Sequence, residues 1–168
     1  MPVVQHIGVV GEGSCSKRTA ALARRVGDAV ARAGAVLISG GRGGVMEAAS
    51  RGAAEAGGLV VGILPGFRRR DANRWVTVPI VTGMDQARNV ILVRSCDALI
   101  AVGGMYGTLS EIALALKLGI PVVGLGTWRL RQPQGQRVPI VRAATPEAAV
   151  RRAIRAAGPA RRAAGWLS

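Results

Sequence analysis

Short apolar runs alternate with segments of helical periodicity along most of this chain. The apolar runs cover residues 3–10, 36–39, 59–64, 76–81, 98–102 and 121–125, with a candidate edge strand at 138–142. The helical segments cover residues 17–33, 45–56, 85–95, 108–118 and 145–157. Continuous apolar strands are typical of a sheet covered on both faces, and helices between them make parallel crossovers. The pattern therefore predicts an α/β domain of three layers with a mainly parallel sheet.

Two segments interrupt this alternation, and the last residues fall outside it. Residues 65–74 and 126–137 carry Pro, Gly and Arg without periodicity, which is typical of exposed loops. The hydrophobic fraction is 49%, so the chain can bury a core of ordinary size. We expect one nucleotide- or phosphate-binding domain over residues 1–157, followed by a basic tail at 158–168.

Three of the predicted strands run into glycine-rich turns that precede helices. Glycine allows positive φ and close approach to a ligand, and the free N–H groups of a new helix attract anions. All these turns lie at the carboxyl edge of a parallel sheet, where they can converge on one crevice. For the turn at 40–44, a plain tight turn is the alternative. The predicted phosphate-binding residues are Gly11, Ser14, Ser16, Gly40, Gly41, Gly43, Gly44, Gly103, Gly104, Gly107 and Thr108.

The net charge of +14 raises the question of nucleic acid. The arginines are scattered, however, and are not interleaved with aromatic residues that could stack on bases. Only Lys17 and Lys117 are lysines, so the charge resembles a compositional drift toward arginine. We therefore expect a small phosphorylated ligand as the partner and no nucleic acid.

Cysteine usage and the chain start favour a cytoplasmic protein. Cys15 and Cys96 are too few and too distant in sequence for a disulfide framework or a metal site, so we predict neither. The residues at 1–6 lack the basic start of a signal peptide. Arg94 and Asp97 interrupt the longest apolar stretch, so we expect no contact with a membrane.

Three stretches together resemble a known group. They are the segment 40–48, Arg88, and the segment 104–111 with the letters GMYGTLSE. In combination they are similar to the Lonely Guy-like group of Rossmann-type proteins. That group contains cytokinin-activating phosphoribohydrolases, proteins often mislabelled as lysine decarboxylases, and molybdenum cofactor carrier proteins. The resemblance covers roughly residues 3–125 and implies a Rossmann-like fold and a homo-oligomer.

The chain departs from the hydrolase branch of this group at three positions. The motif there is Pro-Gly-Gly-X-Gly-Thr-X-X-Glu, with an Arg-Lys pair on the preceding helix. Gly103 stands at the proline position, Met105 at the second glycine, and Asn89 at the lysine. The resemblance assigns the catalytic pair to Glu111 and Arg88, and both are present.

Glu111 has two interpretations. As a site residue near a phosphate loop, its carboxylate would orient water or stabilise positive charge on a ribose C1′, as in glycosidases. As a structural residue, it would close a capping box with Thr108 at the start of a helix. Arg88 could form forked hydrogen bonds to a phosphate or a departing base.

Two functions stay open at this point. The first is hydrolysis of the N-glycosidic bond of a nucleoside 5′-monophosphate, which requires no cofactor. The second is a carrier or sensor that binds a phosphorylated ligand, such as the molybdenum cofactor, without cleaving it. Glu111 and Arg88 favour the enzyme, whereas Gly103, Met105 and Asn89 favour the carrier.

Overall fold

A computed structural model describes residues 4–158 of the chain. All but the first residue of the predicted tail at 158–168 therefore lies outside the described residues. In the described part, the strands are β1 His6–Gly11, β2 Val36–Ser39, β3 Val60–Leu64, β4 Val78–Val81, β5 Ala98–Val102, β6 Val122–Leu125 and β7 Ile140–Arg142. The helices are α1 Lys17–Arg32, α2 Val45–Glu55, α3 Arg88–Arg94, α4 Tyr106–Lys117 and α5 Pro146–Ala157.

The seven strands between residues 4 and 158 form a single parallel sheet in the order β4-β3-β2-β1-β5-β6-β7. The chain winds outward from β1 to β4, then returns to the centre and continues outward from β5. β1 and β5 are therefore neighbours, and Gly11 is paired with Val102 where both strands end. In an open parallel sheet, this point of reversal is where a crevice for a ligand forms.

Two separate apolar cores confirm the three layers of the predicted Rossmann-like α/β fold. On one face, buried side chains of α1, α2 and α5 pack on the sheet. On the other face, α3 and α4 supply the packing. In β5, Leu99 and Ala101 belong to the second core while Ala98, Ile100 and Val102 belong to the first. This alternation explains why the strand is apolar throughout, since both of its faces are buried.

The first helix begins as the sequence indicates. Ser16 is its N-cap, and the Ser16 Oγ accepts a hydrogen bond from the Thr19 N–H at 3.1 Å. Gly34, with φ of 72°, follows the end of the helix in a left-handed conformation.

Two of the predicted helix starts are wrong. The segment predicted as a helix from residue 85 opens with a 3₁₀ turn at Asp85–Ala87, and α3 begins only at Arg88. Asp85 has a φ of 48°, which no right-handed helix accommodates. The helix predicted from Thr108 begins at Tyr106, directly after Met105 in extended conformation.

A membrane-spanning helix must be long and apolar enough to cross the hydrocarbon core of a bilayer. Between residues 4 and 158, no helix is long and apolar enough to cross a bilayer.

Candidate functional site

A cavity of about 420 Å³ opens at the carboxyl ends of β1 and β5, beside the point of strand reversal. The turn after β1 and the first turns of α2, α3 and α4 enclose it. A cavity of this size lies within the range of small-molecule sites. Its walls are formed by Gly11, Glu12, Gly13, Ser14, Met46, Gln86, Arg88, Asn89, Met105, Gly107, Thr108 and Glu111.

Arg88 is the buried cation of this cavity. Its side chain belongs to a residue that is 8% exposed, and Nη1 donates a hydrogen bond to the Ile63 carbonyl oxygen at 2.6 Å. The guanidinium also lies against Gly40, where a Cβ would come within 2.4 Å of Nη1. Burial lowers the pKa of Arg88, and the negative charge of Glu111 partly offsets this effect. A fixed cation with a donor still unused suits an anionic ligand.

Glu111 is the buried acid of the same cavity and is 7% exposed. Burial raises its pKa to about 7, although the positive charge of Arg88 acts in the opposite direction. Desolvation therefore outweighs attraction, and near neutral pH the carboxyl is divided between its protonated and ionised forms.

The capping-box interpretation of Thr108 and Glu111 is wrong. α4 begins two residues before Thr108, and its N-cap is Met105, which has no side-chain capping bond. The Thr108 Oγ1 is buried and has no hydrogen-bond partner among residues 4–158. Gly104, with φ of 114°, lies over it, and a Cβ there would come within 2.6 Å of the hydroxyl oxygen. Both polar side chains thus face the cavity instead of closing the helix end.

The start of α4 offers unused backbone donors to this cavity. The first hydrogen bond of the helix runs from the Leu109 N–H to the Met105 carbonyl at 3.0 Å. The N–H groups that precede Leu109 have no acceptor within the helix. Gly107 and Thr108 line the cavity, so their backbone lies where an anionic group could be held.

The glycine turn at 40–44 follows β2 and forms hydrogen bonds with other parts of the chain. Its carbonyl groups at Gly41 and Arg42 accept hydrogen bonds from Asn73, at 2.8 and 2.9 Å. The first N–H of α2, at Val45, donates to the Glu12 carbonyl at 3.0 Å. The turn is therefore held by protein contacts on both sides, and its contact with a phosphate stays a prediction.

Six of the predicted site residues line the cavity, and Gly40 and Gly104 lie against two of them, Arg88 and Thr108. Gly11, Ser14, Gly107 and Thr108 line the cavity with Arg88 and Glu111. The remaining predicted residues lie outside its walls, so their contact with a ligand stays a prediction; they are Ser16, Gly40, Gly41, Gly43, Gly44, Gly103 and Gly104.

Six cavity residues were not among the predicted site residues, and two of these, Asn89 and Met105, stood out in the sequence only as departures from the hydrolase motif. Glu12 and Gly13 lie inside the turn after β1, and their position between Gly11 and Ser14 was an available signal. Met46 and Gln86 come from the starts of other elements and carry no local signal. Within residues 4–158, no group of three His, Cys, Asp or Glu side chains could hold a metal ion.

Comparison with known proteins gives consistent results. Residues 4–150 match the model of the SLOG cluster4 family. An uncharacterized protein of Archaeoglobus fulgidus is 54% identical over 123 residues, which is 73% of this chain and 80% of that protein.

Two solved structures are similar along almost their whole length. The molybdenum cofactor binding protein from the phototrophic bacterium Rippkaea orientalis has a TM-score of 0.81 and 38% identity, over 90% of this chain and 96% of that one. The molybdenum cofactor carrier protein from Chlamydomonas reinhardtii has a TM-score of 0.77 and 36% identity, over 91% of this chain and 98% of that one. The resemblance to carrier proteins expected from the sequence is confirmed.

Proposed function

This chain belongs to the SLOG cluster4 family, and we propose that it binds a phosphorylated pterin of the molybdenum cofactor class and carries it without cleaving it. The observation that supports this most is the similarity to the two molybdenum cofactor proteins, which extends over nine-tenths of the chain. One of them is a binding protein and the other a carrier protein of the molybdenum cofactor.

The cavity has the chemistry that such a ligand needs. Arg88 supplies a buried positive charge, and the first turn of α4 supplies N–H groups, so a phosphate fits between them. Met46 and Met105 give part of the wall an apolar character that suits a heterocyclic ring. In this proposal Arg88, Thr108 and the first turn of α4 would hold the phosphate, and Met46 and Met105 would contact the ring.

The phosphoribohydrolase is the second candidate, and one observation favours it. Glu111 and Arg88, which the resemblance makes a catalytic pair, line the same cavity. A carboxyl group there could act on water or on a ribose C1′. Gly103, Met105 and Asn89 still depart from the hydrolase pattern, so we rank the carrier first.

One experiment separates the two candidates. The purified protein is denatured, and the released pterin and molybdenum are measured per chain. In parallel, the folded protein is incubated with AMP and an N6-substituted adenylate, and free base is measured beside Glu111→Gln. A carrier yields pterin and molybdenum and releases no base. Base release that disappears in Glu111→Gln would overturn the proposal.

An arginine pair provides the matched control. Arg88→Lys keeps the charge but loses the forked donor geometry, and should lower the bound pterin about tenfold, as expected for a hydrogen bond to a charged group. Arg129→Lys makes the same change at an exposed arginine of the loop at 126–137 and should leave the content unchanged. Equal loss in both variants would show that the loss is not specific to the cavity and would contradict the role of Arg88. Homo-oligomer formation and a cytoplasmic location stay predictions.

A further inference from the structure

Asn89 is a buried polar residue of the cavity wall whose hydrogen bonding is incomplete. It lies in the first turn of α3 and is 6% exposed. The Asn89 Nδ2 donates to the Ser110 Oγ at 3.4 Å. The Asn89 Oδ1 is buried and has no partner in the described part of the chain. A buried acceptor without a donor is unfavourable, so a ligand that supplies the donor gains affinity there.

The orientation of the Asn89 amide follows from its neighbour. The Ser110 hydroxyl donates its single proton to the Gly107 carbonyl at 2.7 Å. Its oxygen can then only accept, so the Asn89 group that faces it must be the NH₂ and not the carbonyl. The opposite orientation would place two acceptors against each other. The Oδ1 atom is thereby fixed on the side away from Ser110.

We propose that Asn89 determines ligand specificity, with its Oδ1 accepting a hydrogen bond from a ring N–H of the bound ligand. The site then selects heterocycles that present a ring amide N–H, as the 2-amino-4-oxo edge of a pterin or guanine does. A ring with a lone pair at that point meets another lone pair and is disfavoured. This inference rests on the proposed function, because the phosphate must bind for the ring to reach Asn89.

Three unpartnered polar groups on the cavity-lining residues match a heterocyclic ring that has both hydrogen-bond donors and acceptors. Among residues 4–158, Arg88 Nε and Thr108 Oγ1 are also buried without partners. They provide a cationic donor and a hydroxyl beside the acceptor of Asn89. The Met105 side chain also lines the cavity and is 60% exposed.

The test uses GMP and AMP as stable probes, because both carry the same ribose phosphate. GMP presents N–H groups where AMP presents a ring lone pair. Their dissociation constants, and that of inorganic phosphate, are measured by calorimetry for the wild type, Asn89→Leu, Asn89→Asp and Ser110→Ala. Gln134→Leu is the matched control, since it makes a similar change on an exposed loop.

We expect the wild type and Gln134→Leu to bind GMP about tenfold tighter than AMP, the discrimination of one buried hydrogen bond. Asn89→Leu should bring the ratio close to one while the phosphate affinity is kept. Asn89→Asp retains an acceptor and should still favour GMP. Ser110→Ala frees the amide to turn, so AMP should bind more tightly than it does to the wild type.

The outcomes distinguish this inference from the proposed function. If phosphate and both nucleotides bind, but Asn89→Leu keeps the wild-type ratio, the role of Asn89 is refuted and the carrier proposal stands. If none of the three probes binds, both fall. If Asn89→Leu does not fold, an equal ratio in the wild type or a loss of GMP preference in Asn89→Asp refutes the inference.

Discussion

The Glu111 carboxyl should lower the stability of the fold at neutral pH, and replacing it by glutamine should remove this effect. Burial raises its pKa from the usual 4.5 to about 7. Between these two values the folded protein binds more protons than the unfolded chain does. The free energy of unfolding therefore falls as the pH rises through this interval. Glutamine has the shape of the protonated acid and does not titrate.

The magnitude follows from the same two pKa values. The rise of the Glu111 pKa from 4.5 to about 7 means that the fold favours the protonated carboxyl over the ionised one by about 3 kcal/mol. Integrating this effect over pH gives the difference in the free energy of unfolding between Glu111→Gln and the wild type. The two proteins should be equally stable near pH 4. The variant should be more stable by about 1 kcal/mol near pH 5 and by about 3 kcal/mol near pH 7 to 8.

Urea denaturation at a series of pH values between about 4 and 8 measures this difference. Glu47→Gln is the control, because it makes the same substitution at an exposed glutamate of α2. The reasoning is refuted if Glu111→Gln differs from the wild type by the same amount at every pH. A difference that grows as the pH falls would also contradict it.

Two further predictions concern the turns around the cavity. Gly44→Ala should lower the free energy of unfolding by about 3 kcal/mol, because Gly44 has φ 63° and ψ −128° and a Cβ would lie 2.2 Å from the Glu12 carbonyl oxygen. Gly57→Ala is the control, because Gly57 also has a positive φ of 77° but has open space around it. This variant should lower the free energy of unfolding by about 1 kcal/mol. Equal losses for the two variants in urea titrations would contradict the role of the contact with the Glu12 carbonyl. Met105→Gly should tighten the binding of bulky phosphorylated ligands, because this half-exposed side chain stands at the cavity mouth; unchanged affinities over a series of adenylate analogues would show that it faces elsewhere.

The sheet and its layers were predictable because a strand that is buried on both faces has a continuous run of apolar residues in the sequence. A strand such as β5, with all five side chains buried, must be apolar at every position. Helices that pack on such a sheet need one apolar face, and this gives the periodicity of α1 and α5. Local composition is sufficient for these elements, since each one is determined by burial alone.

The start of α4 was not predictable in the same way. Its N-cap, Met105, has no side chain that can accept a hydrogen bond, so no capping residue marks the boundary. Thr108 and Glu111 have the spacing of a capping box, and this local signal misplaced the helix start. Only the arrangement of the preceding glycines, which the fold determines, shows where the helix begins.

The surroundings of the turn at 40–44 could not be predicted from the sequence, because they depend on contacts between residues that are distant in the chain. Asn73 reaches the carbonyl groups of this turn, and Glu12 accepts from the first N–H of α2. Glycine content indicates that a backbone conformation is unusual, but it does not tell whether a ligand or another part of the chain occupies the neighbouring space. The turn after β5 and the turn after β2 therefore had the same sequence signal and different surroundings.

The protonation of Glu111 links the structure to the choice between carriage and hydrolysis. Stabilising positive charge on a ribose C1′ requires the ionised carboxylate. In this cavity burial already favours the protonated form, and a phosphate bound beside Arg88 would add a further negative charge and raise the pKa of Glu111 again. The neutral acid can donate a hydrogen bond to that phosphate, whereas the carboxylate would repel it. An anion bound beside Arg88 would thus favour the protonated form of Glu111, which can donate a hydrogen bond to it, over the ionised form that would catalyse cleavage.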